Sequence, residues 1–512
     1  MSADGASIAG EATEGCAGGS CGVLARYWLE VDTAGVITAC TARVRGRAAA
    51  FATASALCEA ATGLSVVAAA GLGLLTLHPS FAAMDAEDEE RALVAEDGFH
   101  HALGRWLLER MCDAPAGVGA DRPALAASVP GYDSPVAIVG MSGGVDSAVA
   151  LHRTLARTDG RCVGTTLQLW IDPRAPDPEA ACCSPDSVRR ARTTCHAAGV
   201  PHLSIDLREA FAREVVVPFV TEYASGATPN PCVRCNGSFR LDELVRLADV
   251  VGAEEVVTGH YARIVDRDGT MLIARGVDAT KDQSYMLAGV EPATVARLRF
   301  PLGADHKVAI RAEAAARGLE QATTPESQEV CFLGGGDYRA FLARAGAMGT
   351  PGEIVLDDGS GDPTQGKVVG RHEGVARFTP GQRKGIGVAA EHPLYVLDVD
   401  PANGRVLVGA ASNAALDRDD VTLTDVRWHD PARPDRVRVQ LRYRARLGGI
   451  AASVVDLPDD APTGAELRLV FDDPQRAPSP GQAAVLFDDD DVVVGIGRIL
   501  RTAPMAVALR EG

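Results

Sequence analysis

The sequence predicts a multidomain α/β protein: a doubly wound α/β domain, then a small β-rich domain and a C-terminal β-barrel, with an α+β unit placed before them. Three observations lead there. A chain of 512 residues is too long for one hydrophobic core. From about Val136 to residue 334, short apolar runs alternate with amphipathic helical segments. Beyond about Ala411, strand periodicity of two residues takes over.

The first unit, residues 1–113, closes on "EDGFHHALGRWLLERM", where Phe99, Leu103, Trp106, Leu107 and Met111 recur at helical spacing. Within it, "GLSVVAAAGLGLLTL" (Gly63 to Leu77) is shorter than the roughly 20 residues of a bilayer span and lacks flanking Lys or Arg, so buried helix and loop are expected rather than a membrane segment. Residues 114–134 lose every period and are rich in Ala, Gly and Pro, the composition of a linker. The formal net charge of -18 excludes general nucleic-acid coating, so an RNA site must be a local patch. Twelve irregularly spaced Cys and an N-terminus without a basic, apolar leader pattern predict a cytoplasmic protein with reduced thiols.

The α/β domain, residues 135–334, begins with "PVAIVGM", a continuous apolar run that suits a buried parallel strand. A glycine turn and the amphipathic "SAVALHRTLAR" follow. Strand-like "CVGTTLQLW", "HLSIDL" and "EVVTGHYARIV" then alternate with helical "SVRRARTTCHAAG" and "LDELVRLADVVG", the βα repeat of a doubly wound sheet. Residues 335–410 shorten into a Gly-rich β domain, and residues 411–512 read as the barrel.

Between the first strand and helix lies "GMSGGVDS", Gly140 to Ser147. Gly143 and Gly144 let backbone amides close on phosphate oxygens, Ser142 and Ser147 add hydroxyls, and the helix N-terminus adds partial positive charge. Asp146 beside phosphates makes sense as a magnesium ligand. Walker A spacing is absent. The segment resembles the PP-loop of ATP pyrophosphatases, which split ATP into AMP and pyrophosphate to activate a substrate oxygen. Amidotransferase-linked synthetases, argininosuccinate-type ligases and tRNA thiolases share such loops.

Cysteines choose among them. "TPNPCVRCN" spaces Cys232 and Cys235 in a Pro-rich loop, and "TPESQEVCF" supplies Cys331. With "CCSPDSVRRAR", "TGHYARI", "KDQSYML" and "FTPGQRKGIG" in the same order, the chain from about Val136 resembles the tRNA-specific 2-thiouridylases (MnmA/TrmU type). The resemblance implies that ATP adenylates O2 of the wobble uridine of tRNA and that sulfur then displaces AMP at C2. It places ATP on Gly140, Met141, Ser142, Gly143, Gly144, Val145, Asp146 and Ser147, with Leu167 and Gly259 near the adenosine. Cys331 would carry a persulfide, and Cys235 would form a transient disulfide with it. Asn230 and Pro231 would flank the target base; His260, Lys281, Asp282, Gln283, Arg442, Tyr443 and Gln482 would meet tRNA.

Cys232 stands where many relatives carry Asp. Cys232, Cys235 and Cys331 together leave three chemistries open: a persulfide relay, an iron-sulfur cluster, or zinc completed by Cys182 or Cys183. In "RVRVQLRYRAR", Arg436, Arg438, Arg442, Arg444 and Arg446 fall on even positions, predicting an Arg stripe on one face of a strand that meets phosphate. Arg383 and Lys384 lie on a further basic turn.

Residues from about Gly19 to Cys112 resemble the iron-sulfur cluster scaffold family (NifU N-terminal or IscU type). "SCG" at Cys21, "VDTAGVI" and "LVAEDGFHHAL" carry the likeness, but Val23 replaces the Asp after Cys-Gly, and Arg47 and Arg91 fall at the second and third ligand positions. A degenerate scaffold of this kind would dock a sulfur donor such as a cysteine desulfurase or sulfur-relay protein; a relay through Cys21 is the alternative. Cys16, Cys40 and Cys58 are further thiols, Cys58 in an apolar helical pattern. Two other readings stand against thiolation: an amide or amino-acid ligase, which needs no Cys trio, and a non-catalytic cluster-assembly protein, which needs no Asp146.

Overall fold

The computed structural model describes residues 12–19, 21–77, 84–112, 135–172, 174–175, 184–323, 330–333, 336–359, 366–443, 448–457 and 463–500. The N-terminal unit opens with an antiparallel sheet of β1 (Thr13–Gly18), β2 (Leu24–Val31) and β3 (Ile37–Arg45) in sequence order. Asp32 turns β2 into β3, its Oδ1 accepting from the N–H groups of Ala34 and Val36. Tyr27, Leu29 and Ile37 are buried, and α1 (Ala48–Ala61) and the long α2 (Ala86–Cys112) pack on the sheet. Phe99, Leu103, Trp106, Leu107 and Met111 are all buried, as their spacing predicts. The apolar segment after α1 folds as short helices Val66–Ala69 and Leu74–Leu77, with Val66, Val67, Ala69 and Ala70 buried. The expected linker, 114–134, lies outside the described residues.

Next come β4 (Ala137–Gly140), α3 (Val145–Arg157), β5 (Cys162–Gln168), α4 (Pro185–Ala197) and β6 (His202–Asp206). After them α5 (Pro231–Cys235), α6 (Leu241–Val251), β7 (Glu255–Val257), the hairpin β8 (Ala262–Arg267) and β9 (Thr270–Arg275), β10 (Leu298–Arg299) and α7 (Lys307–Ala316) complete the domain. The parallel sheet runs β10-β7-β4-β5-β6. From β4 the chain winds outward through β5 and β6, then returns to β7 on the other side. That reversal opens a crevice at the carboxyl ends of β4 and β7, where ligands bind in such sheets. "EVVTGHYARIV" is therefore two strands in different sheets, with Thr258 to Tyr261 leaving the parallel sheet at the crevice.

The N-terminal unit covers the β6 edge. A Cβ built at Gly104 of α2 would lie 1.9 Å from the Ser204 carbonyl oxygen, so glycine is what permits this approach. One apolar cluster runs without a break from Tyr27 and Phe99 to Leu203, Ile205 and Phe211.

Then β11 (Gly352–Leu356), β12 (Lys367–His372), β13 (Leu394–Asp400) and β14 (Arg405–Ala410) form a four-stranded sheet, β12-β11-β14-β13. The last six strands are β15 (Asp417–Trp428), β16 (Arg436–Gln440), β17 (Ile450–Val455), β18 (Leu467–Arg476), β19 (Ala483–Phe487) and β20 (Val493–Ile499). They close into the expected barrel, β15-β18-β17-β16-β19-β20.

The Arg stripe is shorter than its sequence implies. Strand β16 ends at Gln440, so alternation places only Arg436 and Arg438 on its face. Arg436 is bonded to Asp472 and Ser453, and Arg438 to Asp491 and the Asp488 carbonyl. Acids on β18 and in the turn before β20 offset the repulsion that suggested phosphate. Arg444 and Arg446 lie outside the described residues.

Candidate active site

Gly140 ends β4, and the loop through Ser142, Gly143 and Gly144 leads straight into α3. Gly144 caps α3 without a side-chain bond, so the first-turn N–H groups of Val145, Asp146 and Ser147 face the loop. Gly143 takes φ +74° with the Ser187 carbonyl so close that an added Cβ would lie 2.8 Å from its oxygen. Ser147 Oγ donates to the Gly144 carbonyl (2.9 Å) and accepts from Ser142 N–H (3.2 Å), and Ser142 Oγ lies 3.3 Å from it. These donors fit the phosphates of ATP.

Gly259 sits just beyond β7 against the same turn. A Cβ there would come within 2.8 Å of the Asp146 carbonyl carbon. Leu167 is buried near the end of β5. The Asp146 carboxylate is gripped by Lys307 Nζ at 2.7 Å from both oxygens and by Tyr261 Oη at 2.8 Å. Sequence reasoning missed both partners. Lys307 opens α7, 161 residues from Asp146, and no local pattern announces it. Tyr261 stood unread within "TGHYARI". Asp146 fits magnesium as a single protein ligand in exchange for Lys307; phosphate oxygens and water would complete the shell.

Asn230 caps α5, its Oδ1 accepting from Cys232 N–H (3.1 Å) and Val233 N–H (3.3 Å), and Pro231 takes the first helical position. That capped turn fixes Cys232 half-buried and Cys235 buried. A π-type turn over Asn236–Arg240 joins α5 to α6, whose Leu244 reaches beneath Gly140. Cys331 begins a short 3₁₀ turn, Cys331–Leu333. Phe211 unites the two segments, 5.7 Å from Phe239 and 6.1 Å from Phe332 between ring centres. Cys235 belongs to that core, and Cys331 packs against it. Among the described residues no three His, Cys, Asp or Glu side chains gather to hold a metal. Cys182 and Cys183, the candidate fourth ligands, lie outside the described residues.

The residues expected to meet RNA divide in two. Near the crevice, His260 Nδ1 lies 2.7 Å from Thr258 Oγ1, and desolvation, with Arg240 adding to it, pushes its pKa down to about 3. Lys281 is half-buried. Asp282 turns inward, accepting from Arg275, Gly276 N–H and Ser284, while Gln283 Oε1 accepts from Tyr261 N–H. The other group meets where the barrel joins α5. Tyr285 donates to the Ala483 carbonyl and stands 6.2 Å from the exposed Tyr443 ring. Gln482 Nε2 donates to the Thr228 carbonyl at 2.7 Å, and Arg442 to the Arg476 carbonyl.

Parallel sheet, phosphate loop and closed barrel define a PP-loop nucleotide-binding domain followed by two β domains. Family models match in the same order: a tRNA methyl transferase HUP domain over 136–335, a tRNA methyl transferase PRC-barrel domain over 339–410, and an aminomethyltransferase beta-barrel domain over 418–499. The tRNA-specific 2-thiouridylase MnmA of Solibacter usitatus is 41% identical over 331 residues, covering 61% of this chain and 86% of the relative. That of Sorangium cellulosum is 42% identical over 363 residues, covering 70% and 88%. That of Acidithiobacillus ferrooxidans is 40% identical over 336 residues, covering 65% and 90%. The chain belongs to the tRNA-specific 2-thiouridylase family. Among the described residues no helix is long and apolar enough to cross a membrane.

Proposed function

We propose that this protein is a cytoplasmic tRNA-uridine 2-sulfurtransferase that uses ATP and magnesium. The observation that carries the reading is the common aromatic core under Cys235 and Cys331, in the same domain as the phosphate loop. In this reading uridine O2 attacks the α-phosphorus of ATP held on residues 140–147, and pyrophosphate leaves. Leu167 and Gly259 border the adenosine. Magnesium held by Asp146 would offset phosphate charge.

The outer sulfur of a Cys331 persulfide then attacks C2 and displaces AMP. Cys235 thiolate takes the Cys331 sulfur, forming a disulfide and releasing 2-thiouridine. A persulfide relay is the first reading, since it needs only the two thiols that share this core, and an iron-sulfur cluster on Cys232, Cys235 and Cys331 is the second. Asn230, Pro231, Arg442, Tyr443 and Gln482 form one RNA-facing group and His260 with Lys281 another; Asp282 and Gln283 orient that second group from beneath.

Residues 1–113 act as a degenerate scaffold-like unit that docks a sulfur donor, with domain limits at 135–334, 335–410 and 411–512. The three-stranded sheet with packed helices supports this, as does Arg91, buried and paired with Glu87 and Asp88 where a ligand thiol would stand. Cys331→Ser and Cys235→Ser should each abolish 2-thiouridine in tRNA digests analysed by mass spectrometry, while ATP binding persists. Thiolation retained by either variant rejects the sulfur-transfer roles.

A further inference from the structure

Two chains of contact run from the N-terminal unit to the phosphate loop, and neither belongs to sulfur transfer. The first crosses α4. Asp97 of α2 accepts from Arg189 Nε (2.8 Å) and Arg192 (2.5 Å), while Glu96 accepts from Arg192 Nε at 2.7 Å and from Leu74 N–H at 3.0 Å. Arg189 and Arg192 are three residues apart, on one face of α4. The Arg192 side chain is 3% exposed and that of Glu96 5%. Such buried charges hold position only with their partners in place. Helix α4 then begins at Ser184, which caps Ser187 N–H, and the Ser187 carbonyl abuts Gly143 of the loop.

The second chain crosses the sheet. The Ala70 carbonyl, from the apolar segment of the N-terminal unit, accepts from His202 N–H (3.0 Å) and from His196 Nε2 (3.0 Å). His202 Nε2 lies 2.9 Å from Thr166 Oγ1, and that hydroxyl donates to the Met141 carbonyl at 3.1 Å. Because the Thr166 proton goes to Met141, His202 must present N–H at Nε2. Burial, reinforced by Arg192 and His196, holds its pKa well below the ordinary value.

We infer that the N-terminal unit braces the nucleotide site, with Asp97 and Thr166 as positioning residues that set the loop geometry at Gly143 and Met141. The unit is then part of the ATP site's support as well as a docking module. Loop amides must be aimed before phosphate arrives, and a loop left to relax on one side loses affinity for ATP rather than chemistry. The inference rests on the reading that this loop binds ATP.

The test uses the full chain, with ATP affinity by titration calorimetry and tRNA thiolation kinetics in parallel. Asp97→Asn and Thr166→Val should each raise the ATP KM and Kd by about five- to tenfold, with kcat within about twofold of the parent. Thr166→Ser keeps the hydroxyl and should restore parental affinity. If Asp97→Asn does not fold, the Thr166 pair decides alone. ATP bound with parental affinity by Thr166→Val overturns the brace, as does a fall in melting temperature in both variants with the ATP KM unmoved. A parent protein that binds no ATP would instead refute the nucleotide-site reading itself.

Discussion

Gly104→Ala tests whether the N-terminal unit is seated on the thiolase sheet as tightly as the structure requires. The new Cβ would lie 1.9 Å from the Ser204 carbonyl oxygen and 3.0 Å from its carbon. An ordinary carbon–oxygen contact is near 3.3 Å, so α2 or β6 must yield by about 1.4 Å. Ser204 is held in register with Thr166, and α2 is packed along its length, so neither moves alone. Overpacking of this kind costs about 1–3 kcal/mol, and backbone on the receiving side puts the expectation near the upper limit. For a unit of about 110 residues that is a fall of roughly 12 °C in the melting transition. Gly18→Ala, whose Cβ would meet Leu24 Cδ1 at an ordinary 3.4 Å, serves as control. Differential scanning calorimetry is the assay. A Gly104→Ala transition indistinguishable from that of Gly18→Ala would refute the close seating, and with it the brace.

Burial holds His100, His196 and His202 neutral at the same interface, so their stabilising contribution is full above the unfolded pKa of about 6.5 and declines as pH falls below it. Each would contribute at most about 1.4 kcal/mol per pH unit, and a melting temperature unchanged between pH 7.5 and 5.5 would contradict their burial. Lys307→Met frees Asp146 of a competing cation worth about 1 kcal/mol, so half-saturating magnesium for pyrophosphate release should fall about fivefold; an unchanged value would show that metal does not use Asp146. In the N-terminal unit Cys40 Sγ lies 3.0 Å from Cys58 Sγ; a hydrogen bond from Cys40 lowers the Cys58 pKa and raises that of Cys40. Alkylation should mark Cys58 first and slow several-fold in Cys40→Ala, as read by peptide mass spectrometry; equal labelling of both thiols would overturn the assignment.

What the sequence revealed was local. The phosphate loop lies in eight consecutive residues, and its chemistry follows from glycine freedom and a helix start. The stripe from Phe99 to Met111 is a period of one helix, and β4 an unbroken apolar run. What stayed hidden depends on distant partners. Glu96 and Asp97 of α2 meet Arg192 and Arg189 of α4, and no spacing within either helix announces the pairing. Lys307 looks like an ordinary first-turn residue until α7 brings it to Asp146.

The misread Arg stripe shows the same limit and bears on where RNA lies. Periodicity located the arginines correctly at Arg436 and Arg438 but could not know that β18 and the turn before β20 would bring Asp472 and Asp491 against them. The matching acids come from β18, two strands away, and from the turn before β20. We therefore place the proposed phosphate contacts where elements meet, because there the neighbouring side chains are not set by strand pairing. Two places satisfy this: the exposed turn at Arg383 and Lys384, and the junction where Arg442, Tyr443 and Gln482 face the Asn230 cap. In the proposed reading the junction stands one short helix from Cys235, so a tRNA bound there would have its backbone held beside the sulfur chemistry.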